Sequence, residues 1–174
     1  MKKRLTAIIL LIAMLLCLAS CSSGRADLKF YVLKKEYVAE NMADFSLLAA
    51  AKRDGRVAFT GEDLRGWYWP DHQVLLRELS VYGGAQKGGS KLFQAEPGDV
   101  FILVLGNRII YSGGFASAEE TLGDTKEIYI EDGAADNFAV VCRNEYEAKD
   151  DPRNVDILYD YLADYNLLSG VQGG

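Results

Sequence analysis

The sequence predicts an α+β domain, a mostly antiparallel sheet with a helix near each end of the domain. Three observations carry that prediction. Val100-Phe101-Ile102-Leu103-Val104-Leu105 is an unbroken apolar run, after which Gly106-Asn107 leads into a β-prone return over residues 108–112. A two-residue loop of this composition between β-prone runs signals a hairpin, because tight hairpin turns need the positive φ that glycine adopts freely. Residues 128–130 and 138–142 read as a second such pair, joined across Asp132-Gly133. Apolar residues at helical spacing flank both pairs, over residues 36–53 and from Pro152 onward. Hairpins set between helices point to an α+β sheet rather than to alternating βαβ units.

In chain order, residues 28–33 are apolar and aromatic except for Lys29, and predict a first strand. Residues 36–53 predict a helix whose stripe is Val38, Met42, Phe45, Leu48 and Ala49, with Gly55 as the stop. Residues 56–59 predict a short strand. Thr60, with Asp63 three residues on, then caps a brief turn. Residues 73–78 alternate weakly and predict another strand. Pro97-Gly98 fits a type II turn ahead of the main hairpin. The run at 100–105 is apolar on both faces, which places it at the centre of the sheet, covered on both sides. A short helix is expected over 117–122. Pro152 is expected to open the last helix, where its missing N–H costs nothing. Val155, Leu158, Tyr159, Leu162 and Tyr165 or Asn166 trace its buried stripe, and Ser169-Gly170 ends it.

The N-terminus carries a different kind of information. Lys2, Lys3 and Arg4 precede an apolar stretch over 5–18, too short to span a bilayer comfortably. A basic start, a short apolar run and small residues before a cleavage point describe a secretory signal. It closes on Leu18-Ala19-Ser20-Cys21, which resembles the lipobox of bacterial lipoproteins at all four positions. That resemblance implies cleavage before Cys21, diacylglycerol on its sulfur and palmitate-type acylation of the new N-terminus. Cys17 is a poor lipid site, since Leu15 and Leu16 stand where small residues are wanted. The expected division is 1–20 signal, 21–26 lipidated tether and 27–170 a single α+β domain. The expected location is the outer face of the cell membrane, or the outer membrane in a Gram-negative cell.

Charge narrows the partners. Residues 1–20 hold three basic and no acidic side chains, so the remaining chain has 16 Lys and Arg against 25 Asp and Glu, a net charge of −9. Such a chain is repelled by phosphate backbones and anionic headgroups, which argues against nucleic acid and leaves anchoring to the lipid on Cys21. With Cys21 acylated, Cys142 has no cysteine partner in the mature chain, so the fold rests on its hydrophobic core.

The chemistry-bearing residues are few. His72 is the sole histidine, and a Ser-His or Cys-His mechanism must use it. Cys142 reads first as a core thiol, with a nucleophile paired to His72 as the alternative. Residues 131–137 are the best calcium candidate, but lack the alternating acids and final Glu of an EF-hand loop. Residues 84–91, GAQKGGSK, miss the phosphate-loop pattern because Ser90 and Lys91 are in the wrong order. No metal or cofactor is expected. Asp156, Asp160 and Asp164 form a ridge at i, i+4, i+8, read as a solvated face or a dock for a basic partner. Trp67-Tyr68-Trp69 ahead of Pro70-Asp71-His72 is the most unusual segment. In a strand, Trp67 and Trp69 share a face and Tyr68 takes the other. Trp67, Trp69 and His72 are therefore the candidate ligand-binding residues, against the plainer reading that both Trp side chains fill the core.

A second resemblance rests on Phe59-Thr60-Gly61-Glu62-Asp63-Leu64, Trp69-Pro70-Asp71-His72-Gln73-Val74-Leu75-Leu76 and the segment FILVLGNRIIYSGG over 101–114. These are similar to a group of small Gram-positive exported and phage-encoded proteins of uncharacterised role. The resemblance implies an architecture and no catalytic residue. Three functions stand as expectations. The first is a non-catalytic module that binds an envelope protein, peptide or glycan. The second is an envelope hydrolase using carboxylates such as Glu62, Asp63 and Asp71. The third is a phage-related surface exclusion protein.

Overall fold

The computed structural model describes residues 24–38, 42–77, 95–116, 127–131, 137–142, 144–147 and 149–170. A 3₁₀ turn at Gly24–Asp27 leads into β1 (Leu28–Leu33). Then come α1 (Asp44–Asp54), β2 (Arg56–Thr60), β3 (Leu64–Tyr68) and β4 (Gln73–Leu76). The hairpin of β5 (Val100–Leu105) and β6 (Arg108–Ala116) follows. The chain continues through β7 (Ile128–Glu131), β8 (Asn137–Ala139), β9 (Val141–Cys142), α2 (Asp156–Asp164) and β10 (Leu168–Ser169).

Among the described residues the strands form a six-stranded sheet, β2-β1-β5-β6-β7-β9, and a four-stranded sheet, β10-β3-β4-β8. Pairing is antiparallel except at β6–β7 and β10–β3. The protein is thus α+β with a mostly antiparallel core, as the hairpin signals require. The expected turn is present: Gly106 has φ 61, no positive φ falls on Asn107, and Leu105 pairs with Arg108. That is the type II′ pattern, with glycine at its first central position. Pro97-Gly98 also turns as expected, with Gly98 at φ 89 and the Asp99 N–H donating to the Glu96 carbonyl at 2.9 Å.

β5 sits between β1 and β6 and is buried on both faces. Phe101 and Leu103 face the four-stranded sheet and α2, together with Leu28, Phe30, Val32, Trp67, Val74, Phe138, Leu158 and Leu162. Val100, Ile102 and Val104 face α1, with Tyr31, Leu33, Leu47, Ala50 and Ala51. Three layers result: α1, the larger sheet, and the smaller sheet with α2. Stacked rings knit the inner layer. Phe30 lies 4.7 Å from Phe59 and 5.1 Å from Phe101, and Phe138 of the smaller sheet meets Phe30 edge-on at 6.1 Å. Each such ring removed from water contributes about 1.5–3 kcal/mol.

Several element boundaries differ from expectation. The helix expected over 36–53 begins at Asp44, and residues 35–37 form a separate 3₁₀ turn. Its buried face is Leu47, Ala50 and Ala51, one step from the expected stripe, and Phe45 is 78% exposed. Counting the period from Val38 carried the phase across a break that sequence does not mark. The last helix begins at Asp156 rather than Pro152, because the Asp151 carboxylate captures the Arg153 N–H at 2.9 Å and closes a turn there. It ends at Asp164. Tyr161 is buried in place of Tyr165, Asn166 adopts φ 53, and Leu168–Ser169 returns as a strand beside β3.

The strand expected over 138–142 is two strands in different sheets. Asn137–Ala139 pairs with β4, while Val141 and Cys142 pair with Tyr129 and Ile128 of β7. The helix expected at 117–122, the calcium candidate's loop at 132–136, the glycine-rich 84–91 and the lipobox lie outside the described residues.

Candidate functional site

The smaller sheet brings the singled-out residues to one end. β3 is paired with β4, and the four residues Trp69-Pro70-Asp71-His72 connect them. The connection is tight. His72 adopts φ 48, and its N–H donates to the Trp69 carbonyl at 3.2 Å. A left-handed backbone is unusual for histidine, and here it folds the imidazole back under the turn. His72 is 1% exposed.

Beneath it the chain crosses between sheets at Val140, and the crossing leaves no orphan backbone group. The Val140 N–H donates to the His72 carbonyl at 3.1 Å. Its carbonyl accepts from Arg153 Nη1 at 2.7 Å. A buried backbone group without a partner costs about as much as a lost hydrogen bond, so these two contacts allow the strand to leave one sheet for the other. Arg153 is held in turn by a two-pronged pair with Asp151, Nε to Oδ1 at 2.9 Å and Nη2 to Oδ2 at 2.5 Å. Both side chains are largely buried, at 15% and 10% exposure. Asn154 completes the group, its Oδ1 lying 3.0 Å from His72 Nε2. That contact puts the ring proton on Nε2 and leaves Nδ1 buried without a hydrogen-bond partner.

The electrostatics follow from burial. Burial, with the nearby Arg153 cation second, pushes the His72 imidazole down to about 4, so the ring is neutral at physiological pH. Burial opposes the Asp151 carboxylate, but the Arg153 contacts outweigh it and hold the carboxyl below its usual range. Burial raises the Cys142 thiol, away from the thiolate a nucleophile needs. Tyr111 is 6% exposed, with its hydroxyl unpartnered, and burial raises it too.

The three proposed binding residues have different fates. Trp67 is 1% exposed in the core, opposite Val74, with its Nε1 unpartnered. His72 supports the turn from below. Trp69 alone is half-buried at the surface, 5.0 Å from the His72 ring and 5.2 Å, edge-on, from the half-buried Tyr159 of α2. Tyr68 is 36% exposed beside them, its ring against Gly170, where a Cβ would overlap both Tyr68 and Pro70. Trp67 and Trp69 do share a face, with Tyr68 on the other, but that face is packed rather than open, since Trp69 packs against the core cluster that contains Trp67.

Set against known protein families, curated proteins and solved structures, the chain matches none.

The acids considered for hydrolysis are not gathered. Asp63 accepts from the Thr60 N–H at 2.7 Å and from its hydroxyl at 3.0 Å, and so closes a turn. Glu62 and Asp63 precede β3 and Asp71 follows it. Five strand residues span roughly 17 Å, beyond the about 5–9.5 Å of a glycosidase carboxylate pair. Cys142 and His72 belong to separate contacts, His72 Nε2 being engaged by Asn154. Among the described residues no three His, Cys, Asp or Glu side chains group to hold a metal. Asp156, Asp160 and Asp164 are exposed along α2. Sequence reading missed Asp151, Arg153 and Asn154, and assigned Tyr159 to the buried stripe of the last helix rather than to the surface beside Trp69. The signal for the first three was Asp-Pro-Arg-Asn at 151–154, where an Asx-type turn competes with a helix start.

Proposed function

We propose that the chain is a membrane-anchored extracytoplasmic lipoprotein, tethered through Cys21, that binds an envelope peptide or glycan without chemical turnover. The observation that carries the binding reading is the aromatic ledge of Trp69 and Tyr159. Both rings are half-buried at the surface, packed edge-on at 5.2 Å, and braced by the buried His72. Rigid aromatic side chains with one open side lose little entropy on binding and stack on sugar rings or apolar side chains. Beneath the ledge the groups able to react are occupied or neutral. Asp151 and Arg153 are locked to each other, the imidazole is uncharged, and the Cys142 thiol is raised. The lipobox resemblance at 18–21 supports the anchor, and among the described residues no helix is long and apolar enough to cross a membrane.

The test is photo-crosslinking in living cells with a probe at Asp71, which is exposed beside the ledge. One envelope partner captured there, and lost in Trp69→Ala and Tyr159→Ala, supports the reading. Interface aromatics of this kind are worth about 2 kcal/mol, a roughly 30-fold loss of affinity. Capture that survives both substitutions removes the ledge as the site, and Cys21→Ser protein that stays in the membrane fraction removes the anchor.

A further inference from the structure

The last residues of the expected tether and the start of β1 are fixed to the domain at several points. The Arg25 guanidinium donates to the Gly61 carbonyl at 2.9 Å and to the Leu64 carbonyl at 2.8 Å. The Arg25 carbonyl accepts from the Tyr161 hydroxyl at 2.5 Å. The Asp27 carbonyl accepts from the Gly106 N–H at 2.9 Å, and the Leu28 carbonyl from the Gly61 N–H at 2.9 Å. Gly61 permits this closeness, since a Cβ there would overlap both the Tyr161 hydroxyl and the Arg25 carbonyl. A Cβ at Gly24 would likewise overlap the Tyr165 hydroxyl.

The clamp sets how far the body can stand from a bilayer. Arg25 lies four residues after Cys21, and a fully extended chain covers at most about 14 Å over that length. The features around the clamp are the β5–β6 tip, the end of β2, the start of β3 and the C-terminal end of α2. That end carries exposed Arg108 at the tip, Lys52 donating to Asn107 Oδ1 at 2.7 Å, Tyr165 at 37% exposure, and the exposed acids Asp27 and Glu62. A surface of mixed charge with a phenol ring suits a zwitterionic headgroup layer, where tyrosine is enriched. β3 runs from Leu64, at the clamp, to Tyr68, and the Trp69–His72 turn follows. The ledge therefore lies at the far end of the strand, roughly 17 Å further on by strand rise.

We propose that the clamped tether holds the domain upright on the membrane. The tip residues Asn107 and Arg108, with Lys52 and Tyr165, rest on phospholipid headgroups, and the Trp69–Tyr159 ledge points away from the bilayer. This orientation rests on the lipid-anchor reading. The occupant is lipid rather than a second protein because the reach of the tether leaves no room for a protein between this end and the membrane.

The experiment uses the full-length lipidated chain with Cys142→Ser, carrying either Asn107→Cys or Asp71→Cys with a fluorophore on the new thiol. Each protein is reconstituted in phosphatidylglycerol and phosphatidylethanolamine vesicles containing headgroup-nitroxide quencher lipid. Several-fold stronger quenching at position 107 than at 71 is expected, with the contrast shrinking in Arg25→Ala. Equal quenching at the two positions, or the reverse order, overturns the orientation when the intact mass shows lipid on Cys21. Absence of lipid mass on Cys21 brings down the anchor reading itself, and the orientation with it.

Discussion

His72 shows how one residue couples backbone, packing and protonation. Its left-handed backbone places the ring under Trp69, its carbonyl receives the Val140 N–H, and its Nε2 meets Asn154. Burial keeps the imidazole neutral down to about pH 4. In the unfolded chain the same ring takes a proton near pH 6.5. Between those values the unfolded state binds more protons, so stability falls as pH drops from about 6.5 to about 4 and is unaffected by this group above that window. The full loss is about 3 kcal/mol. Asn tolerates the left-handed backbone, so His72→Asn is expected to fold and to show a flatter urea midpoint between about pH 6.5 and pH 5. An unchanged slope in that variant would assign the acid sensitivity elsewhere. Asp99 adds to the loss at lower pH. It is 1% exposed and accepts from Lys34 Nζ at 2.8 Å and from the backbone N–H groups of Lys35 and Glu96. Burial opposes its charge, but these contacts outweigh burial and depress its pKa. Its contribution is present above the ordinary carboxylate range and disappears as pH falls through the lowered value.

Among the elements, the β5–β6 hairpin was the most legible and is the most constrained. An apolar run on both faces admits a single place in a layered domain, the centre of a covered sheet. Two glycines in β6 and its turn test different costs. Gly106 has φ 61 with open space around its Cβ position, so Gly106→Ala is expected to cost about 1–3 kcal/mol from backbone conformation alone. A Cβ at Gly113 would overlap the Phe101 ring and the Ile128 carbonyl, and the carbonyl belongs to a paired strand. Gly113→Ala is expected to cost about 1–3 kcal/mol by overpacking, visible as a drop in urea midpoint. If Gly113→Ala leaves the midpoint unchanged, β7 does not pack against β6 as described. The helices were legible as elements, and the last also in phase, with Leu158 and Leu162 buried and Val155 packed against the core. The first was one step out, because its period was counted from Val38 across the break before Asp44.

At the scale of the whole molecule, the N-terminal clamp gives a measurable signature. Arg25→Ala removes two bonds that tie the 3₁₀ turn at Gly24–Asp27 to the β2–β3 turn. Hydrogen exchange is expected to quicken at the Gly61 and Gly106 amides while Ile102, at the sheet centre, keeps its protection. Uniform quickening would mean that Arg25 supports the whole core rather than the clamp.

The sequence by itself determined the class of fold, the central strand and the two turns beside it, because periodicity and turn chemistry are local in the chain. Only tertiary structure decided that Val140 divides one apolar run between two sheets, and that Trp67 and His72 go inward while Trp69 and Tyr159 meet at the surface. It also decided that Arg25 and Trp69 stand at opposite ends of β3. Those outcomes rest on contacts between residues far apart in sequence, Val140 with His72 and Arg153, Trp69 with Tyr159, Arg25 with Gly61 and Tyr161. A single strand's pattern carries no record of which distant group will satisfy it.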